Sequence, residues 1–524
     1  MIALPKDETK LMVAVHGWSG IVLGLLLYAV VLTGTAAVFA EEIGIWSAGH
    51  VATRSAFERP LAADLQAIGR QTPPQYRESV DLFETDGHDL GVFFHRHEME
   101  GGTPISRGWL TVLDADGGVK DRRFGTSEDV FAARNDNAFS SFLVETHVRL
   151  HVPNPWGLIL TGVLGLTMLV AAISGLLIHR HLLKDAFTLR RGAKPVLLNR
   201  DRHSVAGTWS LPFAFVLAFT GSFFSFFGTI GVPIVAMAAF GGDVQALSDT
   251  VFGNPGTPDA RPAATAGLDR VTADAIRRAG DVPTFVTIEN YGRADAKVTT
   301  FHPPATSAIA PVSLLYRGSD GAFLMQKPLI GTTPSAGGTL AAIMSPLHFG
   351  NFAGIVSKAI WFGLGFAMCY VTYTGLRLWL VRREDSGRSL DWLERAVAVV
   401  GLGLPLALLG SGAAFLLAMP LGTALWWTPA GFLIVAAIAI VAGALWPSAV
   451  GYARAVEAAT AATLLALPAL RLLMGGPGWA TALSAGQPVI PALDLALLLT
   501  GGTLLWRRLP RSRPASASIL QVSK

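Results

Sequence analysis

The chain has 524 residues, of which 51% are hydrophobic and 15% are charged, and its mean hydropathy is +0.46. This composition excludes an ordinary soluble domain and predicts a polytopic α-helical membrane protein, with the lipid bilayer as its surroundings. The formal net charge of +4 comes from basic loops beside apolar segments, so it indicates no nucleic-acid partner. The single cysteine excludes an intrachain disulfide, a thiolate zinc cluster and an iron–sulfur cluster.

Apolar stretches of about 20 residues, the length that crosses a bilayer core, recur along the chain and predict eight spans. The predicted order is a first span (1–40), a first external domain (41–150), a second span (151–181), a basic loop (182–206), a third span (207–240), a second external domain (241–347), a fourth span (348–383), four extra C-terminal spans (396–507) and a tail (508–524). Lysine and arginine cluster in the segments that eight spans place on one side. The positive-inside rule therefore predicts cytoplasmic termini and external insertions.

Each external insertion has the pattern of a small α+β module. A helical pattern at Leu61–Arg70 and another at Val271–Ala279 are each followed by alternating apolar and polar residues. The predicted strands are Glu78–Thr85, Leu90–His97 and Gly108–Leu113 in the first insertion, and Thr284–Tyr291, Lys297–His302 and Val312–Arg317 in the second.

The first four spans carry an internal repeat. Spans one and three share H-x3-G-x12-T-G, from His16 and from His203, and spans two and four share L-H-x-x-N-x-x-G around His151 and His348. These matches predict a duplicated unit of span, external domain and span, with residues 1–181 as one copy and 200–383 as the other. Repeats of this kind commonly place function at the interface between the copies.

The repeated histidines predict two haem sites in a four-helix core. His16 and His203 fall at the cytoplasmic ends of their spans, and His151 and His348 at the external ends. Two facing imidazoles in a helix bundle are the ligands of a six-coordinate b-type haem. One pair of histidines near each membrane face predicts two haems.

Small and polar neighbours of these histidines suggest further contacts. Gly20 and Gly207, one turn after their histidines, leave room on the same helix face for a flat macrocycle. Asn154 and Asn351 are candidates for second-shell or propionate contacts, with helix-start packing as the equal alternative.

Other histidines leave the ligand set open. His147 lies one turn before His151 and shares its predicted helix face, so it is an alternative ligand. His179 ends the second span and could compete for the cytoplasmic site or serve a third haem. His95 and His97 alternate along a predicted strand, where a solvated strand face is the more frequent arrangement than a metal site.

Three sequence stretches resemble one known family. They are H-G-W-S-G with T-G-T-A-A-V-F-A-E-E-I, then S-G-L-L-I-H-R-H-L-L-K-D-A-F-T-L-R, and then D-R-H-S-V-A-G-T-W-S-L-P-F. Together they are similar to the PepSY-associated transmembrane proteins, iron-regulated proteins that include ferric-siderophore reductases of the bacterial inner membrane. The resemblance covers roughly residues 10–383. It implies four core helices, periplasmic PepSY-type domains and histidine-bound haem, with His179 also fitting the family pattern.

The expected activity is transmembrane electron transfer to a periplasmic acceptor. A ferric siderophore or another ferric chelate is the natural acceptor, because reduction to the ferrous ion weakens oxygen-donor chelation. The sequence shows neither a dinucleotide-binding G-x-G-x-x-G opening a helix after a strand nor a P-loop, so the donor would be a quinol, a diffusible reductant or a cytoplasmic reductase. The alternatives are a membrane-anchored PepSY-type regulator, peptide-binding or assembly protein, and a transporter.

Overall fold

The computed structural model describes residues 4–85, 87–101, 103–179, 184, 186–191, 195–265, 267–305 and 308–508. Part of the predicted basic loop and the tail after residue 508 lie outside these residues. The α-helices are α1 (Lys6–Val22), α2 (Gly24–Ala37), α3 (Ala40–Ala48), α4 (Ala62–Gln71), α5 (Ser127–Val130), α6 (Ala138–Arg149), α7 (Trp156–Ile178), α8 (Pro195–Phe226), α9 (Val232–Phe240), α10 (Val244–Phe252), α11 (Leu268–Ala279), α12 (Ala336–Phe349), α13 (Gly354–Asp385), α14 (Asp391–Ala398), α15 (Leu404–Ala418), α16 (Ala424–Leu445), α17 (Ala449–Leu473), α18 (Trp479–Ser484) and α19 (Val489–Trp506).

Seven helical segments of the described chain are long and apolar enough to cross a membrane. The first predicted span is instead divided into α1 and α2, which meet at Leu23 with a bend of 68°, and counting this pair as one span gives eight. The expectation of a polytopic helical membrane protein is thus confirmed, and its first span is a broken helix.

The two polar insertions form one antiparallel β-sheet. Its strands are β1 (Ser79–Glu84), β2 (Leu90–Glu100), β3 (Thr103–Leu113), β4 (Val119–Thr126), β5 (Phe285–Glu289), β6 (Lys297–His302), β7 (Val312–Arg317) and β8 (Phe323–Gln326), in the order β4-β3-β2-β1-β5-β6-β7-β8. Strand β1 pairs with β5 through Val80 opposite Ile288 and Leu82 opposite Val286. The two separate external domains expected from the sequence are therefore halves of a single eight-stranded sheet.

A shared core lies between this sheet and helices α4 and α11. Leu65 of α4 and Val271 of α11 belong to the same buried cluster as the paired strand residues Leu82 and Val286. The Asp269 carboxylate of the second half also accepts hydrogen bonds from the first amides of α4, at 2.6 Å and 2.9 Å. This cap satisfies helix-terminal N–H groups of one half with a side chain of the other.

Two short helices connect the sheet to the membrane. Helix α6 precedes α7 and packs against α2, and helix α12 precedes α13 and packs against α8. Each ends at a residue in the left-handed conformation, Leu150 (φ 52°) after α6 and Gly350 (φ 70°) after α12. The boundaries predicted from the sequence instead place Leu150 at the end of the first insertion and Gly350 at the start of the fourth span.

Helices α14–α19 form a C-terminal unit that packs on the first half of the molecule. Its Phe415 and Ile490 share a buried cluster with Trp46 of α3 and with Phe139 and Phe142 of α6. The unit therefore contacts α3, which precedes β1–β4 in the sequence, and α6, which follows them.

Candidate functional site

Two histidines face each other at the end of the bundle farthest from the sheet. His16 of α1 and His203 of α8 have ring centroids 6.1 Å apart and planes at 67°. The Nδ1 atom of His16 lies 2.9 Å from the Ala171 carbonyl, and that of His203 lies 3.1 Å from the Val371 carbonyl. We call these two residues the far-side pair.

Equivalent contacts surround each ring of the far-side pair. The hydroxyls of Ser174 and Thr374 lie 3.3 Å from Nδ1 of His16 and His203, respectively. The next residue in each case is a glycine, and a Cβ atom on Gly175 or Gly375 would lie 3.2 Å or 3.1 Å from the imidazole. A small residue followed by glycine, Ser174-Gly175 in α7 and Thr374-Gly375 in α13, thus makes room for the histidines of α1 and α8.

A cavity of about 550 Å³ opens beside the far-side pair. It is lined by both histidines and by Gly20 and Gly207, the two glycines that the sequence suggests as neighbours of a flat ligand. A Cβ atom on Gly20 would meet nothing within 4 Å, and one on Gly207 would meet only Val371 at 3.9 Å. The volume falls in the range of about 300–1,000 Å³ that is usual for ligand pockets.

A second histidine pair lies at the end of the bundle next to the sheet. His147 of α6 and His348 of α12 have ring centroids 6.0 Å apart and planes at 26°. Nδ1 of His147 lies 2.9 Å from the Val30 carbonyl, and Nδ1 of His348 lies 2.9 Å from the Thr220 hydroxyl. We call these two residues the sheet-side pair.

The T-G motif of spans one and three provides the surroundings of the sheet-side pair. A Cβ atom on Gly34 would lie 2.5 Å from the His147 ring, and one on Gly221 would lie 3.1 Å from the His348 ring. The Thr220 hydroxyl already donates to the Val216 carbonyl at 2.7 Å, so it accepts the Nδ1 proton of His348. Sequence reasoning had noted the repeated Thr-Gly without assigning it this role.

The structure brings His147, and not His151, to His348. Leu150 and His151 both have positive φ angles, 52° and 55°, which turn the chain out of α6. The exposed His151 ring stacks on Phe142 at 4.6 Å and its Nε2 atom lies 3.0 Å from the Thr146 hydroxyl. The expected facing of His151 and His348 is corrected accordingly, because α6 ends before His151 and only His147 lies on its inner side.

The remaining histidine and asparagine candidates fall outside the two pairs. His179 follows the end of α7 and lines the far-side cavity. Asn154 and Asn351 are exposed, and neither side chain hydrogen-bonds to another residue in the described part of the chain. The second-shell or propionate contact suggested for these two asparagines stays a prediction.

His95 and His97 lie together on the sheet, away from the membrane helices. Their rings are 5.2 Å apart, and Nε2 of the buried His95 lies 3.2 Å from the Asp81 carboxylate. His97 lines a polar cleft of about 870 Å³ between the two halves of the sheet. Across the described residues, no group of three or more His, Cys, Asp or Glu side chains is arranged to hold a metal ion.

In both histidine pairs the ring centroids are spaced as in two imidazoles that share one metal ion. Each Nδ1 atom has a carbonyl or hydroxyl acceptor, which favours the tautomer with the proton on Nδ1 and the lone pair on Nε2. Among the described residues, the four Nε2 atoms have no hydrogen-bond partner. A metal about 2 Å from two opposed imidazole nitrogens separates the ring centres by about 6 Å, which agrees with 6.1 Å and 6.0 Å.

Comparison with known proteins identifies the family. The model of the PepSY-associated TM region matches residues 13–382. The chain belongs to the PepSY-associated TM family. An uncharacterized protein of Pseudomonas aeruginosa is 27% identical over 405 residues, which cover 71% of this chain and 95% of that protein.

The PepSY-associated TM region contains all the residues that form the two pairs. It begins before His16, ends at Arg382 and includes the complete sheet. Helices α14–α19 lie beyond the matched residues. The resemblance stated from the sequence is thus confirmed, and the C-terminal unit is an addition to the family's matched region.

Proposed function

We propose that this protein is a di-haem, b-type electron-transfer protein of the bacterial inner membrane that reduces a ferric chelate, such as a ferric siderophore, in the periplasm. One observation carries the proposal: two imidazole pairs, with ring centroids at 6.1 Å and 6.0 Å, lie at opposite ends of one helix bundle. His16 and His203 are the proposed ligands of one haem, and His147 and His348 those of the other.

The protein's own groups prepare both sites for a neutral, bis-histidine ligand set. The carbonyls of Ala171, Val371 and Val30 and the hydroxyl of Thr220 hold a proton at each Nδ1 atom, which leaves Nε2 as the donor to iron. Bound there, haem would supply one-electron redox chemistry with no open coordination position. The four histidines are half-buried between the helices, and a glycine lies directly against each ring.

The origin of each ligand supports a duplicated architecture. Each pair takes one imidazole from the first half of the region and one from the second, and the carbonyl or hydroxyl and the glycine against each ring come from the same half as that ring. Each half also contributes four antiparallel strands to the sheet and one helix that packs against it. We therefore propose two copies of one unit, with both haems between them.

The direction of transfer follows from the proposed topology. Basic residues concentrate at the end of the bundle opposite the sheet, so that end and both termini are placed in the cytoplasm and the sheet in the periplasm. One electron from a quinol or a cytoplasmic reductase would enter at the far-side pair and leave at the sheet-side pair. It would reduce one ferric ion to the ferrous ion, which oxygen donors hold less tightly.

Purified full-length protein tests the proposal directly. We expect a reduced-minus-oxidised spectrum of b-type haem and two haems per chain by pyridine haemochrome. His147→Ala and His348→Ala should each remove the same haem, and His16→Ala and His203→Ala the other. His151→Ala is the matched control and should retain both. Colourless protein after haem-replete expression would contradict the proposal.

The acceptor is tested on the same protein. Dithionite-reduced protein, freed of excess reductant, should be reoxidised by a ferric chelate in anaerobic stopped-flow, with one ferrous ion captured by a colorimetric trap per electron lost. His348→Ala should slow reoxidation strongly, because the exit site is incomplete. Equal rates for wild type and His348→Ala would exclude the proposed exit route.

A further inference from the structure

The far-side cavity changes from apolar to basic along its length. Its inner wall includes Leu27, Met168, Ala214 and Met368, all of which belong to the buried cluster in the middle of the bundle. Its opposite wall includes Arg200, Asp201, Thr188, His179 and Arg382. A ligand that fills this cavity therefore meets hydrocarbon at one end and charged groups at the other.

The charged end carries an excess of positive charge. Asp201 is already bound by Arg190, whose guanidinium donates to both carboxylate oxygens at 2.8 Å and 2.5 Å. Arg200 lies 3.8 Å from the same carboxylate. Arg382 has no carboxylate within salt-bridge distance in the part of the chain that the structure describes. The cavity end is thus complementary to an anion.

We propose that Arg382, assisted by Arg200, binds the propionate carboxylates of the haem held by the far-side pair. The inference rests on the proposed function and adds an orientation to it: the propionate edge faces away from the sheet, and the vinyl and methyl edges face the bundle centre. Guanidinium groups suit this role because their planar N–H donors match a carboxylate and stay charged.

The matched control lies one residue away. Arg383 carries the same charge on the same helix, but its guanidinium lies over the Trp379 ring, 4.7 Å from the centroid, and it does not line the cavity. Arg382→Gln and Arg383→Gln therefore remove the same charge from α13, and only the first removes it from the cavity.

The experiment measures haem release from full-length protein to an excess of an apoprotein scavenger. Arg382→Gln should release one of the two haems at least about tenfold faster than wild type, in line with the loss of one charge-assisted hydrogen bond. Arg383→Gln should release both at the wild-type rate. Protein loaded with haem dimethyl ester, in which both carboxylates are blocked, should show no difference between Arg382→Gln and wild type.

The outcomes separate the two proposals. Wild-type release rates in haem-loaded Arg382→Gln would overturn the propionate assignment while leaving two-haem binding intact. An equal acceleration with the dimethyl ester would also overturn it, because the arginine would then act without the carboxylates. A wild-type chain that binds no haem would overturn the proposed function and this inference together.

Discussion

At the scale of single residues, each proposed ligand imidazole lies against a glycine of a neighbouring helix. The approach is tightest at Gly34, where a Cβ atom would lie 2.5 Å from Cε1 and 2.7 Å from Nδ1 of His147. Heavy atoms do not approach so closely, so any side chain at residue 34 must displace the ring. The same displacement breaks the bond from Nδ1 to the Val30 carbonyl.

Gly34→Ala should therefore lose the sheet-side haem while keeping the far-side haem. Haem content should fall from two to about one per chain, measured by pyridine haemochrome on purified protein. Gly221→Ala, where the new Cβ atom would lie 3.1 Å from His348, should produce a smaller loss. Gly363→Ala is the control, since no atom lies within 4 Å of its Cβ position. Full haem content in Gly34→Ala would contradict the assignment of His147.

The choice between His147 and His151 shows what the sequence alone could not provide. Both residues lie on one face if the helix continues, and the L-H-x-x-N-x-x-G match favours His151. The helix ends at Arg149, and left-handed conformations at Leu150 and His151 are uncommon for such residues. The helix end depends on packing against distant segments, which no local pattern reports.

At the scale of elements, a buried ion pair within the C-terminal unit is hydrogen-bonded to a tryptophan of the family region. Arg471 of α17 and Asp494 of α19 are both 1% exposed and lie 2.7 Å apart. The Asp494 carboxylate also accepts hydrogen bonds from the indoles of Trp46 and Trp479, at 2.8 Å and 2.7 Å. Trp46 belongs to α3, so this network holds the added helices against the first half.

Asp494→Asn should destabilise this contact strongly, because it leaves the Arg471 charge buried without its counter-ion. The expected loss is about 3 kcal/mol or more, seen as a lower midpoint of thermal unfolding in detergent. Glu457→Gln is the matched control, since its ion pair with Arg508 lies at the surface and should contribute less than about 1 kcal/mol. Equal midpoints for the two variants would refute the proposed role of the network.

Strands were predictable where apolar and polar residues alternate. The predicted ranges Lys297–His302 and Val312–Arg317 coincide with β6 and β7. The edge strands β4 and β8 were missed, because β4 reads V-K-D-R-R-F-G-T and β8 has only four residues. Charged residues and a short length keep an edge strand from pairing with another chain. They also remove the alternation of apolar and polar residues by which a strand is predicted.

At the scale of the whole molecule, the contact between β1 and β5 makes one domain of two insertions. Asp81 and Thr287 are directly opposite in this pairing, and the Thr287 hydroxyl donates to the Asp81 carboxylate at 3.0 Å. The sequence predicted most strands of each insertion but not their union, since the partners lie about 200 residues apart and nothing local specifies the pairing.

A double-cysteine variant tests this union. Asp81→Cys combined with Thr287→Cys should form a disulfide under mild oxidation, because directly opposed strand residues fall within the range of Cα separations that a disulfide spans. Mass spectrometry of non-reduced peptides should detect the link. Asp81→Cys with Glu289→Cys, a diagonal pair, should cross-link much less, and equal yields for the two pairs would contradict the register.

Because each pair takes one imidazole from each half, the pairs are completed in a fixed order during synthesis. The far-side pair is complete in sequence once His203 has left the ribosome, whereas the sheet-side pair must wait for His348 and therefore for β5 to β8. A nascent chain that stops before α12 contains all eight strands and three of the four imidazoles, but only one complete pair. The proposed second haem could therefore bind only after both halves of the region, and with them all strands of the sheet, have been synthesised.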